Sequence, residues 1–247
     1  MIALFDVDGV ILDSMAIWDT LPIRYVRSKG KIPQTNLAKI IAPMPLEESS
    51  LYLKEHYQLN ASSIEIQHEI IEMLATYYKE EVALKSGVLS CLQACQDQHM
   101  PMYVLSIGDE TLINAAFKRL HIRSYFQAIF TVMDKRDPHV YTNVANTLHV
   151  QPQDLLVFED SLDAIQSAHQ AGCKTIGIAD PSNQDKQTLI KARADFFVSG
   201  FEAVDWGHHL LSLSKIHAKE EFLCLQHVRS LVLIPAEAPV SKRISKL

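Results

Sequence analysis

Six short, almost continuously apolar runs recur along this chain: Ile2 to Phe5, Met102 to Leu105, Ala128 to Thr131, Leu155 to Phe158, Thr175 to Ile178 and Phe196 to Val198. Strands that read this way are covered on both faces, and amphipathic stretches separate most of them. The alternation predicts an α/β fold, a parallel sheet flanked by helices. Ile113, Ala116, Phe117 and Leu120 recur at helical spacing after Asp109, which suits an N-cap. Ile165 and Ala168 follow Ser161 in the same way, and Gly172 is a suitable stop.

One stretch breaks the rhythm. From Ser14 to about Val82 only helical patterns occur. Ile17, Leu21 and Tyr25 form one stripe that ends near Gly30, and Pro45 suits the start of a second helix, Leu46 to Tyr57. Ser62 or Ser63 can cap a third, with Ile66, Ile70, Met73, Leu74 and Tyr77 on one face. A helical insert therefore follows the first strand, and the chain returns to the sheet near Lys85-Ser86-Gly87. An insert tied by two connections can act as a lid, hinged near Asp13–Trp18 and Glu80–Gly87. The resulting division is a core of residues 1–14 and 84–206, an inserted helical cap of residues 15–83, and a C-terminal extension, 207–247. In the extension, Leu210 to Ile216 and Phe222 to Leu225 suggest a further helix, Leu231 to Ile234 an edge strand, and the basic end from Ser241 a frayed, solvated segment.

Composition excludes some partners. A formal charge of −6 argues against general nucleic-acid binding, which requires clustered positive charge. No 18-residue apolar run exists, so no membrane span is expected. The first residues, Met1 to Phe5, do not read as a signal peptide. Cys91 and Cys95, four apart on a helical pattern, read as buried thiols in a reducing cytoplasm; with Cys173 and Cys224 they suggest neither a disulfide framework nor a metal motif.

The chemistry concentrates at strand ends, where open parallel sheets bind ligands. Asp6 and Asp8 follow the first strand, and Gly9 allows the backbone a tight turn. Two carboxylates so close repel unless a proton or cation intervenes, and a hard ion such as Mg²⁺ meets that need with oxygen ligands. A carboxylate can also attack phosphorus directly. Alone, the pair is as well explained by a solvated turn. Ser106 ends the second strand just before a helix start, where a hydroxyl and backbone N–H groups can cradle phosphate; alone it reads as an ordinary cap. Lys135, by itself a surface lysine, follows the third strand and can neutralise a phosphate as a compact cation. Glu159 and Asp160 form a second acidic pair at the end of the fourth strand. Two acidic pairs at two ends of one sheet concentrate charge at a cost to stability, and a shared metal is the economical explanation.

The ordered set resembles the haloacid dehalogenase superfamily, its beta-phosphoglucomutase-like phosphatase branch in particular. The residues that carry the likeness are Phe5-Asp6-Val7-Asp8-Gly9-Val10-Ile11-Leu12-Asp13-Ser14, Ser106, Lys135 with Pro138 and Tyr141, and Phe158-Glu159-Asp160-Ser161 followed by Ala171-Gly172, over roughly residues 1 to 200. The resemblance implies a Rossmann-like core with a helical cap domain inserted after the first strand. It implies Asp6 as nucleophile and Mg²⁺ ligand, and Asp8 as general acid and base whose main-chain carbonyl also binds the metal. Ser106, the Ile107 backbone N–H and Lys135 would hold phosphoryl oxygens. Asp160 would complete the metal site, with Glu159 ligating or orienting. Two departures stand out: Ile107 replaces the usual Asn or small residue, and Asp134-Lys135-Arg136 replaces Gly-Lys-Pro after a shortened loop, so Asp134 is expected to be able to compete with the phosphate for Lys135.

Three functions follow as expectations: a Mg²⁺-dependent phosphatase for a small phosphorylated metabolite, preferably a sugar phosphate; a sugar-phosphate mutase; or a catalytically silent regulatory protein on the same scaffold. The mutases of this branch use a cap histidine and a cap arginine. Here those positions hold Trp18 and Leu46, which favours the phosphatase. The full set of four acidic residues disfavours the silent reading. Trp18, Tyr52, Lys54 and His56 are candidates for the substrate-facing side of the cap.

Overall fold

The computed structural model describes residues 1–213 of the 247. Six parallel strands make one sheet: β1 (Ile2–Phe5), β2 (Met102–Ser106), β3 (Phe126–Thr131), β4 (Leu155–Glu159), β5 (Lys174–Ile178) and β6 (Phe196–Val198), in the order β3-β2-β1-β4-β5-β6. The β1 neighbours are β2 and β4, so the direction of winding reverses there. The crevice beyond the carboxyl ends of β1 and β4 is the place where such sheets take ligands.

The strands alternate faces as their pleat requires. Ala3 and Phe5 join Val104, Leu156 and Phe158 in one buried cluster, with Cys91 and Cys95 of α5 (Val88–Asp97) and Ile113, Ala116 and Phe117 of α6 (Glu110–Arg119). Ile2 and Leu4 join Leu105, Leu155 and Val157 on the other face, against Tyr141, Val144 and Ala145 of α7 (His139–Thr147) and Ala168 of α8 (Leu162–Gln170). The last crossover, α9 (Gln187–Arg193), precedes β6. Cys91, Cys95 and Cys173 are buried free thiols, and burial pushes the Cys173 thiol up to about 12.

Between β1 and β2 lie α1 (Ile17–Ser28), α2 (Leu37–Ile41), α3 (Leu46–Tyr57) and α4 (Ser63–Thr76), followed by one π-helical turn, Tyr77–Glu81. Tyr25, Val26, Leu37, Leu53, Tyr57 and Ile66 give this insert a buried cluster of its own. Ser62 caps α4 in a full capping box: the Glu65 N–H donates to its Oγ at 3.2 Å, and its own N–H donates to Glu65 Oε2 at 2.7 Å. The stripe expected on α4 divides. Ile70 and Met73 pack on the insert cluster, whereas Leu74 and Tyr77 pack on the large sheet cluster. The two connections to the insert pair with each other, Asp13 N–H to the Ala83 carbonyl and Lys85 N–H to the Ile11 carbonyl, both at 2.9 Å.

The expected cap on α6 forms: Asp109 Oδ1 accepts from the N–H groups of Thr111 and Leu112. Gly172 adopts a φ of +90° after α8. Strands β2 and β4 each run one residue beyond expectation, so Ser106 and Glu159 are ladder residues rather than loop residues. The short α2, with Leu37 alone buried, had no pattern to announce it. Residues 206–213 are helical, and Trp206, Leu210 and Leu213 pack into the large sheet cluster. The rest of the helix expected from Leu210, at Ile216 and Phe222 to Leu225, the strand over Leu231 to Ile234, the frayed end from Ser241, and Cys224 lie outside the described residues. Among the described residues no helix is long and apolar enough to cross a membrane.

Candidate active site

Asp6 is the first residue beyond β1, and its N–H still donates to the Phe158 carbonyl at 3.0 Å, which fixes it beside the end of β4. Its Oδ1 lies 2.6 Å from Lys135 Nζ, and the same amine lies 2.7 Å from Glu159 Oε2. Glu159 Oε1 accepts from the N–H groups of Asp160 and Ser161, and Asp160 Oδ2 accepts from the Asn183 amide at 2.7 Å. Asp6, Glu159 and Asp160 are all buried, and each offers a carboxylate oxygen within 4.8 Å of the others.

One lysine faces three carboxylates, and the electrostatics follow. Burial and the Glu159 charge push Asp6 up to about 8 even though Lys135 pulls the other way. Burial and Glu159 likewise push Asp160 well above the carboxylate range. Burial alone would depress the Lys135 amine, but Asp6 and Glu159 together hold it above its ordinary value. The negative charge exceeds what one amine can offset. A buried, hard-oxygen donor set in this condition fits a small divalent cation such as Mg²⁺.

Asp8 has different surroundings. It is half-buried, and its Oδ1 accepts from Ser14 Oγ and from the Tyr78 hydroxyl, each at 2.5 Å. The π-helical turn carries Tyr78 over the end of β1, and such turns recur at functional sites. Ser106 is buried at the end of β2, and its Oγ accepts from the Gly108 N–H at 2.9 Å. A Cβ on Gly108 would lie 3.2 Å from Ser106 Oγ and 3.6 Å from Asp8 Oδ2, so hydroxyl and carboxylate converge on that backbone. Ile107 lines the same cavity and is largely exposed. Gly9 is required twice over. Its φ is +80°, and a Cβ there would sit 2.5 Å from Asp160 Oδ2. The structure thus brings together Asp6, Asp8, Ser106, Ile107, Lys135, Glu159 and Asp160, all lining one open cavity of about 1030 Å³. Asp134 does not compete for Lys135. Its carboxylate binds the Arg136 guanidinium at 2.8 Å, which holds Asp134 down to about 2.

The sequence profile of the haloacid dehalogenase-like hydrolases matches residues 3–178. The chain belongs to this family. A Thermotoga maritima relative named phosphorylated carbohydrates phosphatase is 25% identical over 77% of this chain and 90% of its own length. The validoxylamine A 7'-phosphate phosphatase of Streptomyces hygroscopicus subsp. limoneus is 24% identical, over 84% and 97%. Escherichia coli (strain K12) hexitol phosphatase B is 22% identical, over 77% and 88%. Among solved structures, a Thermotoga maritima protein provisionally described as a beta-phosphoglucomutase superposes with a TM-score of 0.74 at 25% identity, over 86% of this chain and 99% of that one.

Within this haloacid dehalogenase-like hydrolase, four contributors are not marked as such by the sequence. Ser14 stood inside the first motif without a role, and Tyr78, Asn183 and Lys85 carry no local signal at all. Lys85 Nζ donates to the carbonyls of Gly9 at 2.8 Å and Ala179 at 2.9 Å and pairs with Asp180 Oδ2 at 2.7 Å. Asp180 Oδ1 in turn accepts from Ser182, one residue before the Asn183 that binds Asp160. Burial would raise Asp180, but the bonds from Lys85 and Ser182 hold it below its ordinary value. Lys85→Met would strand a buried carboxylate. It is expected to cost about 3–5 kcal/mol of stability, read as a lower urea midpoint at pH 7. An unchanged midpoint would show that the pair contributes nothing. Of the residues expected on the substrate side, Trp18 lines the cavity, whereas Tyr52, Lys54 and His56 do not. The Tyr52 hydroxyl accepts from Gln34, and its ring stacks on His56.

Proposed function

We propose that this hydrolase is a phosphatase that cleaves a small phosphate monoester, with the Asp6 carboxylate as nucleophile. The observation that carries the reading is the contrast between two carboxylates one residue apart. Asp6 is buried against an amine, and Asp8 is half-buried under two hydroxyl donors, yet both line one cavity. Paired titratable groups with divergent surroundings mark a division of chemical labour. Asp6 attacks phosphorus and forms an acyl-phosphate as the bond to the leaving oxygen breaks. Asp8 gives its proton to that oxygen; because Ser14 and Tyr78 both occupy Oδ1, Oδ2 serves. Asp8 then takes a proton from water, which displaces phosphate from Asp6. Lys135, the Ser106 hydroxyl and the Ile107 N–H hold the phosphoryl oxygens.

A Mg²⁺ ion held by Asp6, Asp160 and the Asp8 carbonyl, with Glu159 ligating or orienting, would supply positive charge to the transferring group. The helical insert acts as a lid over the site, and the paired connections at Asp13 and Lys85 are its hinge. The names of the relatives support the reaction class and a phosphorylated small molecule as substrate.

The mutase reading loses support at the insert. Its residues on the cavity wall are Met15, Trp18, Ile71, Leu74, Ala75 and Tyr78, and none is cationic. Leu46 is not on that wall. A second phosphate would find no partner there. The test is phosphate release from p-nitrophenyl phosphate with added Mg²⁺, beside an assay for interconversion of glucose 1-phosphate and glucose 6-phosphate primed with the bisphosphate. Release without interconversion is expected. Efficient interconversion would reinstate the mutase, and silence in both assays would reinstate the regulatory reading.

A further inference from the structure

Resting on the phosphatase reading, we infer that the leaving-group end of the cavity is built for an apolar group, aromatic or branched aliphatic, rather than for a polyol. Four of the large apolar side chains exposed on the described surface, Trp18, Ile71, Ile107 and Met133, line this one cavity. Trp18 is 53% exposed and Met133 98%, although chains of this kind are normally scattered or covered. Met15, Leu74 and Leu112 extend the same wall. The insert side therefore offers a substrate only two polar atoms on side chains, the Trp18 indole N–H and the Tyr78 hydroxyl, and the latter is engaged by Asp8.

Four polar groups of the opposite wall are engaged too. Asp134 and Arg136 bind each other, Asp109 caps α6, and Asn183 binds Asp160. Thr111, Ser161 and Asp163 sit at the starts of α6 and α8, on the sheet side. A sugar or hexitol chain brings several hydroxyls that lose water on entry and must find partners; unpaired, each costs binding. An aromatic or aliphatic group instead buries the exposed Trp18, Ile71 and Met133 surfaces and gains from stacking and sulfur contacts. The phosphate stays at the acidic and basic end already described, so the cavity reads as a polar head site with an apolar tail site.

The test uses the full chain with Mg²⁺ and two pairs of probes. Benzyl phosphate and sorbitol 6-phosphate are both esters of primary alcohols, so leaving-group acidity does not decide the comparison. Benzylphosphonate and methylphosphonate are not hydrolysed and report binding alone, through titration calorimetry, which the Trp18 variant leaves usable. The expectation is at least a tenfold higher kcat/KM for benzyl phosphate and at least tenfold tighter binding of benzylphosphonate. Trp18→Ala should carry both ratios towards one. Met133→Ser, at a side chain with almost no packing to lose, should move them in the same direction. Equal binding of the two phosphonates, or sorbitol 6-phosphate turned over as well as the benzyl ester, overturns the inference. Preferential binding of benzylphosphonate with no turnover of any ester sinks the phosphatase reading and leaves the apolar subsite supported.

Discussion

Asp6→Asn is expected to reduce phosphate release by on the order of 10⁴-fold or more, the scale of losing a covalent nucleophile. The amide matches the carboxylate in shape but cannot form the acyl-phosphate. The fold should tolerate the change for an electrostatic reason. Asp6 shares Lys135 with Glu159, and burial with the Glu159 charge already works against its ionised form. The neutral amide replaces a carboxyl whose ionised form this site already disfavours, while Lys135 keeps Glu159 at 2.7 Å. The metal-free variant should therefore unfold at the same urea concentration as the parent or a higher one. Acid quenching with a ³²P-labelled substrate should trap label on the parent chain and none on the variant. Turnover by the purified variant within tenfold of the parent, with contaminating phosphatase excluded, would remove Asp6 from the nucleophile role.

Much of this site was legible because its parts hang on strand ends, and strand ends are marked by where apolar runs stop. Asp6, Ser106, Lys135 and the Glu159–Asp160 pair could each be placed from a run of four to six residues, and the sheet order then brings them together. Residues that reach the site by tertiary packing left no such mark. Tyr78 arrives through a π-helical turn whose sequence, Tyr77–Glu81, looks like continued α-helix. Asn183 belongs to the short turn after β5, and Lys85 reads as an ordinary linker lysine until its amine is seen among Gly9, Ala179 and Asp180. The α4 stripe reads as one face in the sequence, but a helix wedged between two clusters serves both, and apolar periodicity does not say which neighbour each residue meets. Asp134 shows the converse. The sequence put a competitor beside Lys135, and the backbone turned it towards Arg136.

Removing divalent metal is expected to abolish activity outright, and Mg²⁺ but not Ca²⁺ should restore it. Mg²⁺ holds oxygens at about 2.0–2.1 Å in octahedral geometry, whereas Ca²⁺ takes more ligands at about 2.3–2.6 Å. Ca²⁺ in the same carboxylates would therefore displace Asp6 relative to phosphorus, and it should inhibit. A second readout needs no turnover. In the metal-free protein Asp6 is raised to about 8 from an ordinary 3.8, so the folded state binds more protons than the unfolded state between those values. Stability from this group is full below about pH 4 and is lost as pH rises towards 8. Metal binding replaces that proton with a cation, so its stabilising effect should grow over the same interval. A ligand at 100 times its Kd adds about 2.7 kcal/mol. Melting curves should show a larger rise in Tm with Mg²⁺ at pH 8 than at pH 5.5, and Asp160→Asn should blunt it. Full activity after exhaustive chelation, or a Mg²⁺-induced rise in Tm that shrinks with increasing pH, would mean that these three carboxylates do not form a metal site.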